Sequence, residues 1–207
     1  MQTKTYNVYK FDELTNEQKE KAIENLRHIN VDYDWSQWTI EDETETLEKY
    51  GFDNVTIFFS GFWSQGDGAC FVGSLDNDGL LSFLTVTKQL AKYPTLVRAI
   101  KNGTIYVNIK ITHTGHYYHE NSTTIDDYTE MQDNSELPPK LEKEHRAWFD
   151  TFDARGPHNE SIGWYHDTCR AIYRRLETEY DYLTSDEAII ETIRANDYDF
   201  TSDGKID

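Results

Sequence analysis

The feature that most constrains the fold is an aromatic stretch interrupted by glycines, which covers residues 55–75 and reads VTIFFSGFWSQGDGACFVGSL. Two apolar runs flank the polar segment 64–68, a pattern typical of a buried β-hairpin. Glycine at positions 61, 66, 68 and 73 favours tight turns, or the close approach of another backbone or a ligand. We therefore expect a hairpin whose tip forms a small polar mouth between aromatic rings, with a shape suited to holding a flat molecule.

A second hairpin is expected around Thr114-Gly115. Apolar residues alternate strictly with polar ones over residues 105–111, which predicts a strand with one apolar face. If Thr114-Gly115 forms a two-residue turn, His113 pairs with His116, and His119 lies on the opposite face from both. Because one zinc ion cannot bind all three imidazoles on such a regular hairpin, no metal site is expected.

These patterns indicate an α+β fold. We expect an antiparallel sheet built from the two hairpins and an N-terminal strand over residues 5–11, with helices packed on one face. The segment Asp76-Asn77-Asp78-Gly79 is expected to be a plain turn that closes the first hairpin. The length of the chain favours a single domain over residues 1–207.

Helices are predicted from apolar residues at helical spacing and from capping boxes. Thr15 with Gln18, and Thr184 with Glu187, have the spacing of capping boxes and mark two helix starts. Further helices are expected over residues 34–50, 86–100, 139–153 and 162–183, with Pro94 dividing the second of these or starting a new helix.

The charge balance limits the choice of partners. The chain has 38 Asp and Glu against 20 Lys and Arg, which gives a formal net charge of −18. Such a charge disfavours direct binding to nucleic acid or to an anionic membrane surface, and permits contact with a basic host protein or mimicry of nucleic acid. The sequence shows neither a signal peptide nor an apolar membrane span, so a cytoplasmic location is expected, with homo-oligomers left open.

Candidate ligand-binding residues come from both hairpin tips and from one helix. The rings can stack on a flat ligand, Ser64 and Gln65 can bond its edges, and Arg174 together with Arg170 can hold a phosphate. Alternatively, the arginines pair with Asp167, Glu177 or Asp181. The candidates are Phe62, Trp63, Ser64, Gln65, Asp67, His113, His116, Tyr118, His119 and Arg174.

The sequence motifs favour binding over catalysis. The segment 64–68 lacks the GK[ST] ending of a phosphate-binding P-loop, and the sequence contains neither a nucleophile elbow nor a dinucleotide-binding fingerprint. The two cysteines, Cys70 and Cys169, are expected to pack as small hydrophobic residues. No catalytic residue and no cofactor are therefore assigned.

Three blocks of the sequence resemble a family of phage and prophage proteins that are often labelled antitoxins. These blocks are FSGFWSQGDGACF at 59–71, KITHTGHYYHE at 110–120 and IYRRLETEYDYLTSDEAIIETIRANDYDFTSDGK at 172–205, and the opening YKFDELTNEQKEKAIEN is also similar. The resemblance implies a phage setting and carries no established catalytic residue.

The leading hypothesis is a phage-encoded counter-defence binding protein that sequesters a small nucleotide-like signal. One alternative is an acidic inhibitor, an antitoxin or nucleic-acid mimic, that neutralises a host nuclease or toxin. Another is a phosphodiesterase that uses the histidines as acid and base on a cyclic nucleotide.

Overall fold

An antiparallel sheet and several helices make up the structure, a computed structural model that describes residues 7–154 and 163–207. The described residues form seven α-helices and antiparallel sheets, which confirms the expected α+β class. The helices are α1 (Asn16–Asn25), α2 (Gln37–Lys49), α3 (Asn77–Val86), α4 (Pro94–Lys101), α5 (Pro139–Phe152), α6 (Trp164–Leu183) and α7 (Asp186–Ala195). The strands are β1 (Tyr9–Lys10), β2 (Asp53–Phe59), β3 (Ala69–Leu75), β4 (Ile105–Tyr106), β5 (Ile109–His113), β6 (Thr123–Asp127), β7 (Glu130–Met131) and β8 (Asp199–Phe200).

The chain divides into two compact units. One unit contains the described residues up to Trp38 together with Leu176–Asp207, and the other contains Thr39–Arg175. The expectation of one domain over residues 1–207 remains a prediction.

The first unit contains the N-terminal strand, and here the expected topology is wrong. β1 pairs with β8, Tyr9 opposite Phe200, instead of joining the larger sheet. Only two residues pair, because Phe11 begins a short 3-10 helix and packs against Phe200 in the core. Residues 5 and 6, which begin the expected N-terminal strand, lie outside the described residues. Ile162, which begins the expected helix over 162–183, also lies outside them.

One of the two predicted capping boxes is confirmed. The Thr15 hydroxyl accepts a hydrogen bond from the Gln18 backbone, and the Gln18 side chain accepts one from the Thr15 backbone at 2.9 Å. The second prediction is wrong by one residue, since Ser185 caps α7 by accepting a bond from the Ala188 backbone N–H. The Thr184 hydroxyl instead donates to the carbonyl of Tyr180 at 2.8 Å.

The second unit is built around a four-stranded antiparallel sheet in the order β2-β3-β5-β6. The first hairpin, β2 with β3, is confirmed. The prediction of a tight second hairpin is wrong, because His113 pairs with Thr123 and residues 114–122 form a loop between β5 and β6. The expected partner His116 lies in this loop together with His119, and the β-branched segment 123–127 supplies the paired strand.

Two further predictions, the turn at residues 76–79 and the single strand over residues 105–111, are wrong because of Asp76 and Asn77. Asp76 is the N-cap of α3, where its carboxylate accepts a bond from the Gly79 N–H at 2.8 Å, so the expected turn is a helix start. The Asn77 amide donates to the Ile105 carbonyl at 2.9 Å and accepts from the Val107 N–H at 2.6 Å. This side chain takes the place of a strand partner, and the predicted single strand over 105–111 is divided into β4 and β5.

Aromatic side chains fill the core of the second unit. Phe71 of β3 packs against Trp164 and Tyr165 of α6, and the Tyr165 hydroxyl donates to the Phe71 carbonyl at 2.9 Å. Ile109 and Ile111 of β5 are buried as well. Val72, Ser74, Lys110 and Thr112 alternate with these buried residues along β3 and β5 and are not fully buried. Helices thus cover one face of the sheet, and the opposite face remains accessible.

Candidate functional site

The first candidate loop, residues 60–68, is closed by its own hydrogen bonds. The Ser60 N–H donates to the Gly68 carbonyl at 3.1 Å. The Asp67 carboxylate accepts a bond from the Ser64 N–H at 2.6 Å, while the Asp67 N–H donates to the Ser64 carbonyl at 3.1 Å. Asp67 therefore stabilises the turn, as aspartate does in many tight turns.

The aromatic part of this loop holds one ring at the surface. Phe62 packs against Tyr173 of α6 with ring centroids 5.5 Å apart, and the Tyr173 hydroxyl donates to the Gly61 carbonyl at 3.1 Å. Trp63 contacts Phe62 edge-on and is 75% exposed. Neither ring is sealed in the interior, since Phe62 is half-buried.

The first loop meets the 114–122 loop, and the two share a cleft of about 350 Å³. A Cβ on Gly66 would lie 2.5 Å from the Tyr117 ring, and a Cβ on Gly68 would lie 2.5 Å from the Cβ of His119. The bare backbone at these two positions therefore admits the neighbouring loop. The cleft is lined by Gln65, Gly66, Asp67, Tyr117, His119, Glu120 and Asn121.

Two arginines of α6, Arg170 and Arg175, pair with acids from other elements. Arg170 donates to the Glu120 carboxylate at 2.9 Å, and Arg175 pairs with Asp42 and Glu43 of α2. The Glu120 partner of Arg170 differs from Asp167, Glu177 and Asp181, which the sequence suggests.

Arg174 lies on the same helix with an exposed side chain. Neither it nor Arg170 is among the residues that line the two-loop cleft.

The three expected histidines have different surroundings. His113 places Nε2 2.9 Å from the Tyr117 carbonyl, whereas His119 stacks on the Tyr117 ring and accepts a bond from the Asn121 N–H through Nδ1. His116 is exposed within the loop. Among the described residues, no group of three or more His, Cys, Asp or Glu side chains could hold a metal ion.

A larger cavity, which the sequence analysis missed, lies on the sheet itself. This sheet-face groove has a volume of about 560 Å³. It is lined by Asn54, Phe58, Val72, Gly73, Ser74, Asn108, Lys110, Ile111, Thr112 and His113.

A β-bulge adjoins the groove. The register of β2 against β3 shifts between Asp53 and Thr56, and Asn54 has a φ of 55°, in the left-handed region. A Cβ on Gly73 would lie 3.0 Å from the Asp53 carbonyl oxygen, so glycine permits the close approach of the two strands. Bulges bend a strand and increase its twist, which accounts for a depression at this point of the sheet.

Three rings form a cluster at one end of the groove. Phe58 and Tyr118 stack with centroids 5.4 Å apart and an interplanar angle of 15°. His113 contacts both rings, at centroid distances of 5.4 Å from Phe58 and 5.2 Å from Tyr118. Tyr118 is 36% exposed, and the cluster therefore presents ring surface to solvent.

The lining of the groove differs in charge from the rest of this acidic chain. Lys110 and His113 line it, and no carboxylate does so among the described residues. By contrast, Asp67 and Glu120 line the two-loop cleft. A further cavity of about 500 Å³ is lined by four acids, Glu48, Asp53, Asp76 and Asp78.

The polar side chains around the groove retain their hydrogen-bonding capacity. Within the described part of the chain, the side chains of Asn54, Ser74, Asn108, Lys110 and Thr112 form no hydrogen bond or ion pair with other residues. Asp126 pairs with Lys110 in the register of β5 and β6, yet no ion pair joins them. Donors and acceptors are therefore available to a bound molecule.

The structure places five of the ten predicted site residues at two separate cavities, and the other five line neither of them. Gln65, Asp67 and His119 line the two-loop cleft, whereas His113 lines the groove and Tyr118 packs beside it. The alternation that identified β5 as a strand also marked Lys110 as a polar-face residue. The bulge at Asn54 and the long 114–122 loop left no comparable signal in the sequence.

The fold and the groove define an α+β protein with a candidate ligand site on its central sheet. The family model described as Domain of unknown function (DUF8835) matches residues 35–186, more than half of the chain, and the chain belongs to this family. The match spans the groove and both loops. No match was found among curated proteins or among solved structures. No helix in the described residues is long and apolar enough to cross a membrane.

Proposed function

We propose that this protein is a binding protein that sequesters a small nucleotide-like molecule in the sheet-face groove. The observation that carries the proposal is the combination of an aromatic cluster with Lys110 and His113 in a groove whose described lining has no carboxylate. Aromatic rings stack on bases, and a cationic side chain favours a phosphate. The volume of about 560 Å³ lies within the range of small-molecule sites.

The setting we propose is phage counter-defence in the cytoplasm of the host cell. Its support is the resemblance of the blocks at 59–71, 110–120 and 172–205 to phage and prophage proteins. A protein that binds a nucleotide-like defence signal tightly would lower its free concentration without chemical turnover.

Sequestration is favoured over catalysis by the state of the nucleophiles and bases. Burial raises the pKa of the Cys70 thiol, and likewise that of the Cys169 thiol, to about 12, so neither provides a thiolate at neutral pH. His113 and His119 make separate sets of contacts, and His119 lines the other cleft. The phosphodiesterase alternative therefore receives less support.

The test is calorimetric titration with ribonucleoside monophosphates, cyclic mononucleotides and cyclic dinucleotides. We expect at least one to bind, and Phe58→Ala to weaken that binding by roughly 5- to 150-fold, the range of one base-stacking contact. Gln65→Ala, in the two-loop cleft, is the matched control and should leave the affinity unchanged. Absence of binding across the panel, or equal affinity for wild type and Phe58→Ala, would refute the proposal.

A second candidate function, inhibition of a basic host protein, is favoured by the four-acid cavity. This cavity is lined by Glu48, Asp53, Asp76 and Asp78. The side chains of Glu48, Asp53 and Asp78 could contact Lys or Arg groups of a nuclease or toxin. Asp76 also caps α3 and is left unchanged in the test. The triple variant Glu48→Gln, Asp53→Asn, Asp78→Asn should lose a nuclease that the wild type retains at low salt and releases at high salt. Retention by the triple variant would exclude this cavity as the interface.

A further inference from the structure

We infer that the sheet-face groove is specific for nucleotides over nucleosides, with the base at the aromatic cluster and the phosphate at Lys110. The inference rests on the proposed function, because it assigns the two ends of the same groove. It adds a direction of binding and a requirement for negative charge on the ligand.

The spacing along β5 supports this direction. Lys110 and His113 both line the groove, and they are three residues apart on β5, which corresponds to roughly 10 Å along the strand. His113 belongs to the aromatic cluster and Lys110 does not, so the cationic residue and the rings occupy separate positions along the groove. A ligand that contacts both must combine a flat ring with an anionic group some distance away, as a nucleotide does.

At the Lys110 end of the groove, a second side chain can bind the phosphate. Ser74 of β3 is the direct cross-strand partner of Lys110, and directly opposed side chains on neighbouring strands lie close together. Its hydroxyl, like the Lys110 ammonium, has no side-chain partner within the described residues. A phosphate placed there can accept from both groups, as in other charge-assisted phosphate contacts.

The His113 end is suited to hydrogen bonding with a base. Its Nε2 lies 2.9 Å from the Tyr117 carbonyl oxygen, which can only accept, so Nε2 must carry the proton and donate. In the neutral ring Nδ1 is then an acceptor. An exocyclic amino group or a ring N–H of a base can donate to it, while the base contacts Phe58 or Tyr118.

Asp126 opposes the charge of the ligand. It faces Lys110 across the β5–β6 pair without forming an ion pair with it. A phosphate at Lys110 would therefore be repelled by the Asp126 carboxylate. Removing that charge should strengthen phosphate binding, which is the opposite of the effect expected from removing Lys110.

The test compares each of the four ribonucleoside 5′-monophosphates with its own nucleoside by calorimetry at constant salt. In the wild type, we expect the best monophosphate to bind about tenfold more tightly than its nucleoside, as one charge-assisted hydrogen bond allows. Lys110→Gln should reduce that ratio to below about threefold and leave the nucleoside affinity unchanged. Asp126→Asn should increase the ratio by roughly two- to fivefold, and the exposed Lys143→Gln should not change it.

The possible results separate this inference from the proposed function. If monophosphate and nucleoside bind the wild type equally, or if Lys110→Gln weakens both to the same extent, the inference is overturned and groove binding stands. If neither class of compound binds, and cyclic nucleotides also fail, both are refuted. Circular dichroism and unfolding curves of each variant check that its fold is intact.

Discussion

Single residues explain why the two loops can pack so closely. Gly68 faces the backbone of His119, where a Cβ would lie 2.8 Å from the His119 Cα. At Gly61 a Cβ would meet only the Asp67 carboxylate, at 3.4 Å, an ordinary contact distance. The two glycines belong to the same loop, yet of these two positions only residue 68 needs glycine, because a side chain there would clash with the neighbouring loop.

We predict that Gly68→Ala destabilises the protein by about 1–3 kcal/mol, because the 114–122 loop must shift to admit the methyl group. The matched variant Gly61→Ala should change the free energy of unfolding by less than about 1 kcal/mol, since the new side chain fits. Urea unfolding at neutral pH measures both. Equal losses in the two variants would contradict the packing described for the loops.

A buried histidine makes stability depend on pH. Burial lowers the pKa of His145, and the nearby Asp127 carboxylate, 3.5 Å from Nε2, raises it by a smaller amount. The pKa in the folded state is therefore below the ordinary value of about 6.5, and the unfolded chain binds the proton more readily. The contribution of neutral His145 to the free energy of unfolding is therefore complete at pH values above the ordinary histidine pKa. It declines as the pH falls below that pKa.

We therefore predict a smaller pH dependence in His145→Gln than in the wild type. The free energy of unfolding should fall between about pH 7 and pH 5 in the wild type, and less steeply in the variant. Denaturant titrations at a series of pH values test this. An equal slope in both proteins would show that His145 carries no such linkage.

At the level of elements, α4 depends on a cap that comes from another helix. The Glu144 carboxylate of α5 accepts from the Thr95 N–H at 2.6 Å, the Leu96 N–H at 3.1 Å and the Thr95 hydroxyl at 2.7 Å. Burial raises the pKa of Glu144, but these hydrogen bonds together outweigh it, and the pKa lies below its ordinary range. The ionised carboxylate is thus favoured by the folded state.

We predict that Glu144→Gln costs about 1 kcal/mol at neutral pH, the usual value of a helix cap. Because the folded-state pKa is lowered, this contribution is present above the ordinary pKa and is lost as the pH falls through the folded-state value. The difference between wild type and variant should therefore shrink from about pH 5 to about pH 3. Glu142→Gln, exposed on the same helix, is the control and should have little effect at any pH.

Elements with strong periodicity could be predicted from the sequence, and those set by distant side chains could not. Helical spacing identified the helix that ends at Leu183, and alternation identified β5. The break between β4 and β5 depends on Asn77, which is far away in the sequence. The pairing of β1 with β8 joins the two ends of the chain, and no local pattern reports it.

The candidate site was only partly predictable for the same reason. The sequence indicates His113 and Tyr118 as ligand-binding residues, whereas their neighbour Phe58 is part of the apolar run before residue 64 and carries no separate signal. The groove depends on a bulge at Asn54 and on the nine residues 114–122 between the paired strands. Both are tertiary features that bring residues together from separate strands.

For the molecule as a whole, the net charge of −18 determines the outer field. Such a field repels the phosphates of duplex DNA. We predict that a labelled duplex shows no change in fluorescence anisotropy with this protein at about 50 mM salt, where electrostatic binding is strong. Salt-sensitive binding of the duplex would contradict this expectation and would indicate a basic surface.

A local groove whose described lining has no carboxylate can still attract one small anion within an acidic protein. Salt screens charges over about 10 Å at 0.1 M, so distant acids contribute little to a ligand in contact with Lys110. The composition of the groove, and not the average charge of the chain, then determines what binds there.

The most direct measurement is a crystal structure of the protein with the ribonucleoside monophosphate that binds most tightly. We predict density for the base against Phe58 or Tyr118, and for the phosphate about 3 Å from the Lys110 ammonium. A ligand bound in the two-loop cleft beside Gln65, with the sheet-face groove empty, would contradict the account.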